Sequence, residues 1–298
     1  MSSLEFPEHL EFDTFDYCNL NCVYCYLHNN EEECNRLPLH LIEKLMKQTV
    51  GPTLQSIRPW MNGDVLFETR LPEIIKIIRK YNQSPIHLFT NGTNYQNRHM
   101  LVNPEINEVH FTISAATSGT YALVHRRPLF KQALRTLQWF EQHKHPHQQI
   151  IMTFVITKQN IHELPDWRRM FIQHPQVLSA LHKNVRDKHF TDETWVDAMH
   201  LDTHKHPKHI GNMPCVIWNN MAVSAKGDFI QCCEADVNYN YGNIADTPLL
   251  EAWRRSRREN QMRNKFCESC NVKRPDWHMI LDYMYADKDQ YEVIDVTK

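Results

Sequence analysis

Glycine is scarce in this chain, at 7 of 298 residues. From so few, neither a G-x-G-x-x-G nor a G-x-x-x-x-G-K-[ST] loop can be assembled, so a Rossmann or P-loop nucleotide site is not expected. No run approaches the roughly 18 apolar residues of a membrane helix, which argues against a membrane partner. The opening Met1–Pro7 is short and polar, without a charged stretch leading into an apolar one. A cytoplasmic location is the resulting expectation. No sign of charge dominates either: 33 Lys and Arg against 35 Asp and Glu leave a formal net charge of −2. Bulk electrostatics therefore does not draw the protein onto nucleic acid or anionic lipid. With 42% hydrophobic and 23% charged residues, the composition excludes disorder as the main state and allows one large domain plus a small one.

Cysteine is the residue in excess. Nine occur, in two islands: Cys18, Cys22, Cys25 and Cys34 near the start, and Cys215, Cys232, Cys233, Cys267 and Cys270 near the end. An odd total in two clusters argues against a disulfide framework and for two metal sites in a reducing compartment. The first island is a C-x3-C-x2-C run, Cys18-Asn-Leu-Asn-Cys22-Val-Tyr-Cys25. A closed zinc site wants four ligands, whereas three close thiolates suit a cubane iron–sulfur cluster with one iron left open. An incomplete zinc site completed by His28 or Cys34 is the alternative.

Between about residues 8 and 185, short apolar runs alternate with helical patterns, the order of repeated βα units. Strands are expected at His9–Phe15, up to Trp60, at Ile86–Phe89, around Val109–Ile113, at Ile150–Ile156 and at Val177–Leu181. Helices are expected at Leu37–Val50, Pro72–Tyr81, Leu129–His143 and Asn160–Phe171. Some six units make a partial barrel, and ligands of parallel α/β sheets gather at the C-terminal strand ends. From about Asp197 to Pro214 the composition shifts to His and Lys, including His200, His204, His206 and His209. That stretch reads as a solvated linker or as a metal tract. Beyond it, Ala225-Lys226-Gly227-Asp228 reads as a hairpin turn that brings Cys215 and Cys232 together. A helix is expected at about Thr247–Arg263, before the Cys267-Glu-Ser-Cys270 pair. Its arginines, Arg254, Arg255, Arg257, Arg258 and Arg263, read as a solvated face rather than a nucleic-acid patch, because Glu251 and Glu259 share the helix.

The C-x3-C-x2-C run, with Tyr24 just before its last cysteine, resembles the signature of the radical S-adenosylmethionine (radical SAM) superfamily. The resemblance implies an α/β fold: a partial (β/α)6 barrel followed by a small α+β cysteine-rich domain. It also implies that Cys18, Cys22 and Cys25 hold a 4Fe-4S cluster whose open iron binds SAM, and that a 5′-deoxyadenosyl radical abstracts hydrogen from the substrate. Asn62-Gly63-Asp64 lies where the superfamily has a glycine-glycine-glutamate-proline motif that binds the SAM amino group; Asn62, Asp64 and Val65 depart from it. By the same resemblance Ser114 bonds the ribose or the SAM carboxylate, Arg126 or Arg127 pairs with that carboxylate, and Asn160 contacts adenosine or caps a helix. The C-terminal island resembles the auxiliary-cluster domains called SPASM, in the longer form, and twitch, in the shorter. No cysteine follows Cys270, so the shorter form with one auxiliary 4Fe-4S cluster is implied. Cys215, Cys232, Cys267 and Cys270 are its ligands, with Cys233 able to exchange for Cys232.

The expected organisation is a barrel over residues 1–197, a linker at 198–214, an auxiliary domain at 215–285 and a tail at 286–298. The expected activity is a two-electron oxidation of a small molecule such as a carbohydrate, or of a peptide, with a flavodoxin- or ferredoxin-type electron donor. Because the barrel begins near residue 9, no peptide-recognition domain is expected before it, which tilts the reading towards a small molecule. The alternatives are a redox-neutral reaction such as epimerisation or peptide modification, and a non-catalytic binding protein whose two cysteine islands hold zinc.

Overall fold

The computed structural model describes residues 5–25, 33–52, 54–157, 159–180, 219–230, 233 and 240–260. Six parallel strands form its frame: β1 (His9–Phe12), β2 (Ser56–Arg58), β3 (His87–Thr90), β4 (Glu108–Thr112), β5 (Gln149–Ile156) and β6 (Gln176–Ala180). β1 pairs with β2, and β3 to β6 pair in succession, all parallel. A single parallel bridge, Ile57 to Ile86, joins β2 to β3. The resulting order follows the chain, as a partial barrel built from βα units requires.

Helices cover one face. They are α1 (Leu39–Lys47), α2 (Leu71–Tyr81), α3 (Ser118–His125), α4 (Phe130–His143) and α5 (Leu164–Met170). In α2, Pro72 sits in the first turn, where its missing N–H costs nothing. Glu73 near the start and Arg79 and Lys80 near the end complement the helix dipole. Ile74, Ile75 and Ile78 of α2, and Phe130, Leu137 and Phe140 of α4, are buried against Leu10, Phe12, Ile57, Leu88, Val109 and Phe111 of the strands. Side chains alternate across a strand, so His9, Glu11, Arg58, His87, Phe89, Glu108 and His110 stand on the opposite, concave face.

The hairpin expected around Gly227 is present. β7 (Asn220–Val223) and β8 (Asp228–Ile230) pair antiparallel, and β9 (Asn240–Asn243) pairs with β8. Gly227 takes φ +88°, which a side chain would oppose. The sequence did not disclose that β7 also pairs in parallel with β1, His9 to Asn220 through Phe12 to Val223. The C-terminal hairpin therefore extends the barrel sheet at β1, next to the first cysteines. α6 (Leu249–Asn260) follows, burying Leu249, Ala252 and Trp253, while Arg255 pairs with Glu251 on its solvated side. Cys215, Cys232, Cys267 and Cys270 lie outside the described residues, as do the 198–214 linker and the 286–298 tail. Cys233 is partly buried beside Met61, Ala222 and Ile230. No helix among the described residues is long and apolar enough to cross a membrane.

Candidate active site

The first three cysteines follow β1 at the C-terminal mouth of the barrel, and neighbouring strand ends hold their loop. Asn21 N–H and Val23 N–H donate to the carbonyls of His125 and Val124 at 3.3 and 2.9 Å, docking the loop on the last turn of α3. Cys25 N–H donates to the Cys22 carbonyl at 3.0 Å, a turn that gathers the last two thiols. Asn91, just past β3, donates from Nδ2 to Cys18 Sγ at 3.4 Å. His125 Nδ1 stands 3.0 Å from Cys22 Sγ, and Ser114 N–H donates to the opposite ring nitrogen, Nε2, at 3.2 Å.

These thiols sit where ionisation is opposed. Burial pushes the Cys18 thiol well above its usual range, and the nearby Asp64, Cys22 and Cys25 push it further. Burial and Cys25 likewise raise Cys22, while the Arg126 guanidinium favours its thiolate. Three part-buried thiols whose thiolates would repel one another, with N–H donors aimed at two of their sulfurs, form a donor set for a cationic iron centre. The residues present thus fit a cluster.

The Asn62–Asp64 segment is strapped beside this loop. Asn62 donates from its backbone N–H and from Nδ2 to the two carboxylate oxygens of Asp13, both at 2.6 Å. Asp64 N–H donates to the Tyr17 carbonyl at 2.8 Å, and Trp60 Nε1–H donates to the Gly63 carbonyl. A Cβ on Gly63 would lie 2.2 Å from the Phe15 carbonyl and 2.7 Å from that of Tyr17, so glycine is required for this close approach. The Asp64 carboxylate accepts from Leu66 N–H, Asn91 N–H and the Thr90 hydroxyl. Burial raises its pKa to about 6, a rise that those donors limit.

Around the loop, Tyr24 meets the His125 ring edge-on at 6.0 Å, and burial raises its phenol. Ser114 Oγ accepts from Val155 N–H at 3.0 Å. Arg126 and Arg127 are exposed. Arg126 ends α3 in the left-handed conformation, φ +55°, the one non-glycine residue there among those described. The structure brings Arg126, not Arg127, into the field of Cys22. Asn160 stands at the N-cap position of the short turn Ile161–Glu163. Its Nδ2 donates to the Ser114 and Val155 carbonyls, and its Oδ1 accepts from Thr157 N–H and Oγ1–H. The side-chain amide is saturated, so it ties the ends of β4 and β5 together rather than capping that turn.

Comparison with protein families matches residues 13–171 to the radical SAM superfamily. The chain belongs to the radical SAM superfamily. Its residues 215–271 match the SPASM iron–sulfur cluster-binding domain. A radical SAM enzyme with a SPASM domain uses SAM and 4Fe-4S clusters as cofactors, which replaces the reading of two zinc-stabilised islands. No curated protein matches the chain. Among solved structures, Streptococcus suis SuiB bound to precursor peptide SuiA superposes with a TM-score of 0.60 at 15% identity, over 91% of this chain and 71% of SuiB. Native anSMEcpe with bound AdoMet gives a TM-score of 0.61 at 13% identity, over 94% and 98% of the two chains. Its complex with AdoMet and the Cp18Cys peptide gives 0.58 at 14% identity, over 94% and 97%. These likenesses show the shared fold.

Asn91 and His125 were not singled out by sequence. Asn91 had a signal, its place just past a strand end. His125 had none, because its ring reaches Cys22 across 103 residues of chain.

Proposed function

We propose that this radical SAM protein is an oxidoreductase that removes two electrons from a polar substrate. In this reading Cys18, Cys22 and Cys25 hold the SAM-binding cluster at the mouth of the 1–197 barrel. Cys215, Cys232, Cys267 and Cys270 hold the auxiliary cluster of the 215–285 domain. The supporting observation is the thiol set itself: part-buried, close enough for each charge to oppose the next, and bonded to donors from the end of β3 and the end of α3. With the cofactors bound, they supply a 5′-deoxyadenosyl radical to take a hydrogen atom and a second cluster to take the electron that leaves with deprotonation.

The chain's own residues orient and hold. His125 and Asn91 set the positions of two sulfurs. Gly63 lets the Asn62–Asp64 strap approach the cysteine loop, presenting its backbone edge to SAM. Tyr24, Ser114 and Arg126 flank the same loop, with Arg126 favoured over Arg127 as partner of the SAM carboxylate. The concave face below carries Glu11, Arg58, Glu108 and His110, a lining suited to a polar substrate. A peptide is supported by the SuiA and Cp18Cys complexes of similarly folded proteins; a carbohydrate-like small molecule suits the same lining. A flavodoxin or ferredoxin would deliver the reducing electron.

The test is 5′-deoxyadenosine formation from SAM by anaerobically reconstituted protein under a strong reductant, against a variant with all three cysteines changed to Ala. Product from the wild type alone supports the reading. No product from protein carrying iron at both sites, even with candidate peptides and sugars added, refutes it. Substrate recovered without a mass loss of two hydrogens would refute the oxidation while leaving the radical chemistry intact.

A further inference from the structure

Three side chains of ligand type converge on the concave face, away from the cysteine loop. His87 begins β3 and lies directly opposite Glu108 in the β3–β4 register. His110 is two residues beyond Glu108 on β4, hence on the same face. Glu108 Oε2 is 3.4 Å from His87 Nδ1 and 3.2 Å from His110 Nε2. The three ligand atoms all lie within 4.8 Å of one another. No other set of three or more His, Cys, Asp or Glu side chains among the described residues converges in this way.

We propose that His87 Nδ1, Glu108 Oε2 and His110 Nε2 form a separate mononuclear site for a divalent first-row transition ion, with Zn²⁺ as its simplest occupant. Adjacent ligands around an ion with bonds of about 2.1 Å sit roughly 3.0–3.4 Å apart. The two separations at Glu108 already fall at that spacing. The remaining gap, between the two imidazole nitrogens, is no more than 4.8 Å. Two imidazoles and one carboxylate select zinc or iron over magnesium or calcium, which prefer all-oxygen sites.

The surroundings support the assignment. Phe89 stacks on His110 with ring centroids 4.1 Å apart, and Trp60 stacks on Phe89 at 4.6 Å, so the His110 ring plane is set before any ion arrives. Arg58, the cation whose charge acts on all three ligands, is paired with Glu11. All three ligand side chains keep part of their surface exposed, which leaves a route for entry. The three come from one wall of the barrel, so the remaining coordination positions face the lumen and can accept water or an oxygen donor. His87 precedes Asn91, the residue that reaches Cys18, by four positions. At about 3.3 Å per strand residue that is roughly 13 Å, too far for these ligands to share the thiol site.

The test uses the cluster-loaded protein, whose cluster-binding cysteines are occupied. Dialysis against Zn²⁺ followed by metal analysis should give one zinc per chain, unchanged by excess Mg²⁺. Glu108→Gln should weaken binding about tenfold or more, and His87→Ala/His110→Ala should abolish it. Against the chance that a variant misfolds, Co²⁺-loaded wild type should show two solvent-exchangeable, strongly shifted imidazole N–H resonances by NMR and no thiolate charge-transfer band. Zinc uptake that survives the double variant would place the ion elsewhere, such as on His200, His204, His206 and His209. That result, or no uptake by the wild type, overturns the site and leaves the proposed radical chemistry untouched.

Discussion

The imidazole of His125 bridges Cys22 and Ser114, with Nδ1 3.0 Å from the Cys22 sulfur and Nε2 accepting the Ser114 N–H at 3.2 Å. A backbone N–H can only donate, so Nε2 carries the lone pair and Nδ1 the hydrogen. Burial keeps the ring neutral, lowering its pKa to about 3. The tertiary fold has thus chosen a tautomer whose N–H points at a cysteine sulfur.

Such a bond stabilises the more electron-rich state of an iron–sulfur centre. His125→Ala should lower the midpoint potential of the first cluster by roughly 50 mV, the one-electron equivalent of about 1 kcal/mol. A redox titration followed by EPR reads this directly, with iron content as the control. An unchanged potential at full iron content would show that the ring only packs.

Gly63 lies so close to the Phe15 and Tyr17 carbonyls that a methyl group there must displace backbone. Gly63→Ala should cost about 3 kcal/mol of stability and weaken SAM binding, because the strap moves relative to the cysteine loop. Urea unfolding and SAM titration check the two effects separately.

Arg126 occupies the left-handed C-terminal position of α3, where glycine is preferred. Arg126→Gly should raise stability by about 1 kcal/mol while reducing SAM affinity. Arg127→Gly should give no gain in stability. If both variants behaved alike, the proposed distinction between these neighbours would fall.

Glu163 accepts from Ala116 N–H, Thr117 N–H and the Thr117 hydroxyl at 2.7, 3.1 and 2.5 Å, anchoring the start of α3. Burial acts to raise its pKa, but the bonds from Thr117, Thr120 and Ala116 outweigh that and hold it below 4.5. A depressed carboxylate contributes stability above its unfolded pKa and loses it as the pH falls through the folded value. Glu163→Gln should therefore destabilise by about 2 kcal/mol near neutrality. The gap to wild type should narrow as the pH drops below about 4.5, which chemical unfolding across a pH series would show.

The barrel was legible because its signals are local. Ile74, Ile75 and Ile78 recur at helical spacing, and Ile150–Ile156 is apolar except for Thr153. Each pattern reports a face that must be buried whatever lies opposite. The cysteine spacing was legible for the same reason, since three thiols within eight residues need no distant partner to converge. What sequence could not decide was which distant groups would meet them. Asn160 read as a ligand contact or an N-cap; it stands at the N-cap position, and its amide braces β4 against β5. Asn91 carried only its place past a strand end and His125 no pattern at all, yet both reach the thiols. The pairing of β7 with β1, and of His87 with Glu108 and His110, depends on strand register. Register follows from how whole faces pack, not from the residues of either strand alone. Composition and spacing determined that this chain would build a parallel barrel with a three-cysteine mouth. Tertiary structure decided the hydrogen-bond partners, the tautomer and the charge around that mouth, because those arise between strand ends separated by tens of residues.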